Sequence, residues 1–227
     1  MVATEIRRNW YDSLTDDQRV KLALANDFGE NASKIYDWLQ YKDGGLIVQG
    51  TTLSTDGVYY IYDDGSKELF DYSKQNKPTK SVKRIGVVMG SHSLAVNLND
   101  YDEQPLTNNE DDTEYDGYIT EYEDAVADWG GLKNTIHICE IGTDIPLQDD
   151  EWIPSVAELY LIYLNKRSIN AALALAGGSQ IKGGWYWSST EHSAQGAWLL
   201  YLNVGNLNHW GTKVTNSGNV RAVAAFH

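Results

Sequence analysis

Residues 184–227 read GWYWSSTEHSAQGAWLLYLNVGNLNHWGTKVTNSGNVRAVAAFH, and the register of this stretch decides how the rest of the chain is arranged around it. From Ala197 to Asn203 the residues alternate, so Trp198, Leu200 and Leu202 share one face of a strand while Leu199, Tyr201 and Asn203 share the other. The first set is predicted to face the core. The second set, on this reading, points outward and continues through Asn206, Asn208, His209 and Trp210, with a hairpin reversal near Gly205-Asn206. Asparagine is depleted in strands because its side chain competes for backbone hydrogen bonds, so folding alone does not account for the outward set. The alternative is a surface hairpin that happens to carry apolar residues, which surfaces commonly do.

The chain has 227 residues, enough for one substantial core with a small appendage. Hydrophobic residues make up 42% and charged residues 22%, a balance that excludes general disorder. Its aromatic residues are 15 Tyr and 8 Trp against 3 Phe, which favours half-buried sheets and binding surfaces, because Tyr and Trp carry a polar group on an apolar body. A net charge of −14 opposes nucleic acid and anionic membrane as partners, both being polyanionic. The single cysteine, Cys139, permits no intrachain disulfide and is expected to be a small buried thiol in the run Thr135-Ile-His-Ile-Cys-Glu-Ile. The first ten residues are polar and charged, unlike a signal peptide, and no apolar run reaches membrane-spanning length.

In chain order, Thr15-Asp-Asp-Gln18 forms a capping box ahead of Val20, Leu24 and Phe28. Asn31 caps a second apolar periodicity of Ile35, Trp38 and Leu39 that ends at Gly44-Gly45. Residues 1–45 are therefore predicted to be a helical segment, which would either tether the protein to an assembly or pack on its main body. The period then shifts toward two. Val58–Tyr62, the turn Asp64-Gly65 and Lys67–Phe70 predict a β-hairpin, and Ile85–Met89 with Ser93–Asn97 predict two further strands. Lysines between Lys74 and Lys83 surround Pro78 in an expected loop. Ile119, Tyr122, Val126 and Trp129 recur at helical spacing and predict an amphipathic helix closing at Gly130-Gly131. Ser155-Val-Ala-Glu158 is another capping box, opening a helix through Leu164, and Ser168–Ala176 predicts a separate short helix before Gly177-Gly178.

No arrangement of reactive residues stands out. His92, His137, His192, His209 and His227 lack HExxH or any compact metal-ligand spacing. Glu110, Asp111, Asp112, Glu114 and Asp116 are clustered but lack EF-hand spacing, so no metal is expected there. There is no GxSxG elbow, phosphate-cradling loop or dinucleotide fingerprint, and no pair of carboxylates is singled out as acid and base. Glu191 and His192 are adjacent, but neighbouring strand residues point to opposite faces. No catalytic residue and no cofactor is expected.

The segments Trp152-Ile-Pro-Ser155 with Glu158-Leu159, Gly183-Gly-Trp-Tyr-Trp-Ser-Ser-Thr-Glu191, Ala197-Trp198 and Val220-Arg-Ala-Val223 with Phe226 resemble bacterial C-type lectin-like domains. The branch is that of formylglycine-generating enzymes, and within it the resemblance is to the variable proteins of diversity-generating retroelements. In those systems a template-primed reverse transcriptase replaces adenines, often in Asn codons, to randomise residues near the C-terminus. The resemblance covers roughly residues 57–227 and implies an α+β, C-type lectin-like fold of mixed, mainly antiparallel sheets with flanking helices. The domain would span 46–227 and carry a variable-type region at about 188–219.

Carried over residue by residue, the resemblance implies that His192, Gln195, Gly196, Leu199, Tyr201, Asn203, Asn206, Asn208, His209, Trp210, Thr212, Val214 and Asn216 are the ligand-binding positions. One cysteine cannot supply the reactive pair of formylglycine-generating enzymes, and no EPN or QPD signature with WND is present to hold calcium. The expectation is a non-enzymatic protein that binds a protein or cell-surface ligand, without membrane insertion. It would belong to a phage particle or bacterial surface, with the N-terminal segment available for attachment. A non-diversified structural or adhesin domain of the same fold is the alternative. Trp185, Trp187, Trp198, Leu200, Leu202, Val223 and Phe226 are the expected core. Leu199, Tyr201, Asn208, His209 and Trp210 are the expected centre of the binding surface, with Asn203, Asn206 and His192 at its rim.

Overall fold

A computed structural model of the protein describes residues 55–110 and 115–226. The helices expected in residues 1–45, and Asp111, Asp112 and Glu114 of the acidic run, lie outside the described residues.

The pattern of period two becomes two five-stranded, mostly antiparallel sheets. Strands β1 (Gly57–Tyr62), β2 (Lys67–Leu69), β3 (Val82–Met89) and β4 (His92–Asn97) form the first sheet with the C-terminal strand β10 (Val223–Ala224), in the order β10-β4-β3-β1-β2. The expected hairpin is present, with Gly65 at φ 80° in its turn and Tyr59 paired with Leu69. The second sheet comprises β5 (Tyr101–Gln104), β6 (Trp185–Glu191), β7 (Gly196–Tyr201), β8 (Asn206–Thr212) and β9 (Gly218–Val220), in the order β5-β9-β6-β7-β8. Among the described strands only β6 and β9 pair in parallel.

Among the described residues three helices accompany the sheets: α1 (Tyr122–Val126), α2 (Gly131–Ile141) and α3 (Val156–Ala176). Ser155 caps α3 as its sequence predicts, with Glu158 N–H donating to Ser155 Oγ and Ser155 N–H donating to Glu158 Oε2 at 2.8 Å. One continuous helix of 21 residues replaces the two helices expected here. The polar run Asn165-Lys-Arg-Ser contains neither Gly nor Pro, and Asn165 Nδ2 donates back to the Leu161 carbonyl, so nothing interrupts the backbone ladder until Gly177 at φ 79°. By contrast, the amphipathic helix expected over 119–129 shrinks to the five residues of α1. Ile119 N–H pairs with the Glu191 carbonyl instead, and Trp129 leaves the helix to stack on His92 with ring centroids 3.6 Å apart.

Helix α3 lies in the main core, where Leu159, Leu161, Ile162, Ile169 and Leu173 meet Tyr60, Ile85, Val87 and Val96 of the first sheet, Tyr186 and Leu200 of the second, and Leu202 just past β7. The opposite face of the second sheet is covered too. Leu106, Ile138 of α2, Ile145 and Ile153 pack there on Trp187, Ala197, Leu199 and Val220. This second cluster corrects the one-sided reading of β7: Leu199 is only 6% exposed. The alternation is real, but both faces are buried, as in a central strand covered by helices on each side. Cys139, expected to be buried, is half-buried on α2.

The Trp-Ser-Ser-Thr-Glu segment joins β6 to the start of α3. Ser189 N–H donates to the Pro154 carbonyl, Val156 N–H to Thr190 Oγ1, and Ser188 Oγ to the Trp198 carbonyl. The Ser188 hydroxyl thus meets a carbonyl of β7 where the β6–β7 pairing is irregular, between Trp187 and Glu191, and the Thr190 hydroxyl takes an amide at the start of α3 that has no partner within the helix. At the C-terminus, Val220 belongs to one sheet and Val223 to the other. Between them the buried Arg221 donates to Asp100 Oδ1 and to the carbonyls of Asn97 and Ser179, so the chain crosses from sheet to sheet with its charge paired.

Candidate functional site

The β7–β8 hairpin carries most of the residues singled out by sequence. It reverses through Leu202–Gly205, with Gly205 at φ 75° and its N–H donating to the Tyr201 carbonyl. Helix α3 holds the turn: Tyr160 OH donates to the Gly205 carbonyl at 3.0 Å, and Lys166 Nζ to the Leu202 carbonyl at 2.7 Å.

A β-bulge divides the hairpin. Ala197 pairs with Gly211 and Leu199 with Asn208, so His209 and Trp210 together oppose the single residue Trp198. The extra residue acts on Trp210, which regular pairing would set opposite Ala197 on the Leu199 face and which instead shares the place opposite Trp198 with His209. Tyr201 remains on the face of Leu199, opposite Asn206, whereas the His209 ring joins the Trp198 side of the sheet. The contiguous surface expected from Leu199 to Trp210 is therefore two surfaces, and buried Leu199 and Gly196 belong to neither.

The first surface gathers His192, Trp198, His209 and Trp210. The imidazoles of His192 and His209 stack with centroids 4.3 Å apart and planes at 19°, and both meet the Trp198 ring at steep angles. Trp198 is buried and fixed, its Nε1 donating to the Ile119 carbonyl at 2.7 Å. Partial burial holds the His192 pKa below its ordinary value; the neighbouring His209 lowers it further and Glu121 opposes both. Trp210 projects from this platform with 79% exposure, the largest among the exposed apolar side chains described.

The second surface centres on Tyr201 and Trp185, whose rings lie 5.0 Å apart. Trp185 was expected in the core and is instead 37% exposed, because it begins β6 beyond the reach of the residues that cover Trp187. Sequence reasoning missed it as a surface residue, although the preceding Gly183-Gly184 offers no side chain to cover it. Asn203 donates to Tyr201 OH and Asn219 to the Trp185 carbonyl.

The remaining candidates are scattered around these surfaces. Gln195 and Asn216 are exposed, Thr212 and Val214 are half-buried, and Asn206 is exposed at the start of β8. The asparagines have structural work that the sequence argument overlooked: Asn208 Oδ1 accepts from the Trp210 N–H at 2.7 Å and Asn216 Oδ1 from the Thr212 N–H at 2.8 Å. Their side chains compete for the backbone as asparagine does generally, and here that competition completes the strand.

Beneath the hairpin, Lys213 and Glu191 form a fully buried ion pair, with His137 Nε2 3.5 Å from the second carboxylate oxygen and Tyr115 stacked on the His137 ring. It anchors the end of β8 to the end of β6. A separate polar cleft of about 440 Å³ lies beside β4 and β5. There Arg84 pairs in two-pronged fashion with Asp150 and reaches Glu151, which also accepts from Asn97 and Tyr101. Burial and then Glu151 raise the Tyr101 pKa, the direction of a phenol that keeps its proton. The cleft's charges are spent on each other, which suits a joint between chain segments. Among the described residues no group of three or more His, Cys, Asp or Glu side chains could hold a metal ion, and no helix is long and apolar enough to cross a membrane.

No protein-family model matches the chain, and no curated protein matches it. Among solved structures, it is similar to a fimbrial protein from Bacteroides ovatus, with a TM-score of 0.56 and 17% identity over 76% of this chain and 49% of that one. The present chain thus spans about half the length of that protein, and the likeness is one of fold.

Proposed function

We propose that this is a surface-recognition protein that binds a protein or cell-surface ligand through the β7–β8 hairpin, on a scaffold of the C-type lectin-like kind. The observation that carries the reading is Trp210. A large aromatic 79% exposed, beside two stacked imidazoles and a pinned buried tryptophan, is a rigid anchor of the type that dominates protein interfaces. His209, Trp210 and Asn206 are exposed, so substitutions there would leave the buried clusters in place, as a surface diversified by a retroelement requires. A near-copy of the C-terminal coding segment, differing at adenines and lying beside a reverse-transcriptase gene, is the genomic counterpart of that reading.

The likeness of fold to a fimbrial protein favours a second reading, a non-diversified structural or adhesin domain at a cell surface. Binding of labelled protein to a panel of intact bacterial cells and a surface-protein library tests recognition. Trp210→Ala should lose binding while folding and solution mass stay unchanged; binding that survives in both Trp210→Ala and Tyr201→Ala places recognition elsewhere.

A further inference from the structure

The two sheets have four edges, formed by β2, β10, β5 and β8. Three of them are poor templates for another strand. β10 has two residues; β2 has three, Lys67-Glu-Leu, and β5 has four, Tyr-Asp-Glu-Gln, each with charged side chains. Short length and charge are the usual protections of a sheet edge. Strand β8 has neither. Its seven residues, Asn206-Leu-Asn-His-Trp-Gly-Thr212, include no acid, no Lys or Arg and no Pro, and no described strand pairs with its outer side.

What β8 has instead is the bulge at His209–Trp210 and, on either side of it, the pair of side-chain bonds from Asn208 and Asn216 to the amides of Trp210 and Thr212. Just past Thr212 the pattern reverses, because Lys213 N–H donates inward to the Gln195 carbonyl. Asparagine side chains thus fill positions where a neighbouring strand would accept hydrogen bonds.

We propose that Asn208 and Asn216 guard the β8 edge, and that the partner they exclude is the same edge of a second copy of this chain, pairing antiparallel about a twofold axis. Symmetry argues for that occupant, because a twofold contact lays the same strand against itself. The chain carries −14 overall, which drives copies apart, but an uncharged β8 laid against itself meets no like charge at the contact. Self-pairing needs only that the donors be released. The same guards lie among the positions expected to vary, so substitutions there alter assembly as well as recognition.

The test uses the full chain with Asn208→Ala and Asn216→Ala together, alongside each single variant in case the pair impairs folding, with near-ultraviolet circular dichroism reporting the native state. Light scattering across a concentration series should show the mass of the double variant rising toward twice the 25.4 kDa of one chain, while the wild type stays near that value. Amide hydrogen exchange should show Trp210 and Thr212 becoming more protected as the variant is concentrated. Adding Trp210→Lys to the double variant should return the single-chain mass by placing a charge on the edge. The proposal is overturned if the folded variants keep the single-chain mass at every concentration while those two amides exchange faster. It is equally overturned if the wild type itself gains concentration-dependent protection at them, since the guards then guard nothing.

Discussion

Strands β6 and β8 flank the same strand, β7, yet they are built to opposite ends. Six of the seven residues of β6 are buried, whereas in β8 only Gly211 is. The difference is one of cover rather than composition, since both carry tryptophan and small polar residues. β6 lies between β9 and β7 with α2 on one face and α3 on the other, so each side chain has a neighbour to satisfy. β8 is an edge, held at its two ends by the α3-anchored turn and the Lys213–Glu191 pair, and free between them to change its surface.

The sharpest break in this comparison comes from matching tryptophans. Trp187 of β6 is fully buried, its Nε1 donating to the Gln104 carbonyl, and its ring lies so close to Gly211 and Gly218 that a Cβ at either would sit 2.7–2.9 Å from it. Trp187→Ala should cost ~3–5 kcal/mol in urea unfolding, as should Trp198→Ala, through lost burial and a cavity the helices cannot close. A cost near that of a surface substitution would mean that β6 is not the fixed flank of β7.

A second effect, nearly as large, depends on pH. Glu158 caps α3 beneath β6, and its carboxyl is raised from 4.5 to about 7, with desolvation outweighing the donors Ser155 N–H and Trp152 Nε1. The unfolded chain loses this proton at lower pH than the native one, so stability falls as pH rises from 4.5 through 7, by roughly 3 kcal/mol for this group alone. Glu158→Gln should flatten that decline in unfolding curves at about pH 5 and about pH 8; an unchanged slope would assign the decline to other groups.

How far these features are legible in the sequence follows from the range over which each is set. Hairpin β1–β2, the Ser155 cap and the reversal at Gly205 are local, and their residues announce them. The burial of Leu199 is not, because it depends on Ile138 and Leu106, distant in sequence, arriving on the same face. The bulge opposite Trp198 is equally invisible to an alternation argument, since one extra residue in β8 turns Trp210 away from the Tyr201 face without altering the pattern of β7. Likewise, the single long α3 required knowing that Asn165 would bond back to Leu161 rather than end a helix.

On β8 the expected effects are smaller. Asn208→Ala removes the acceptor for the Trp210 amide at an exposed edge, where water replaces it, so the cost to unfolding should be about 1 kcal/mol or less. Asn216→Ala should behave alike at Thr212. A loss several times greater would show that these caps hold the strand itself.

The smallest expected change in stability is the one with the largest expected consequence for binding. Trp210→Ala deletes a side chain that is mostly in water, so unfolding should move by no more than about 0.5 kcal/mol. If the hairpin recognises a partner as proposed, the same substitution should cost about 2 kcal/mol of affinity, near thirtyfold in Kd, because a central aromatic anchor contributes through the pocket it fills on the partner. Tyr201→Ala supplies the internal control. Its ring lies on the opposite face of the bulged hairpin, beside Trp185, so one ligand of ordinary size engaging Trp210 should register its loss weakly. The double variant should then show the two effects added, since separated sites couple little. Strong coupling between the two would mean that a partner wraps the hairpin edge and reads both faces. In that case β8 would act as one surface after all, and the bulge would divide its side chains without dividing its function.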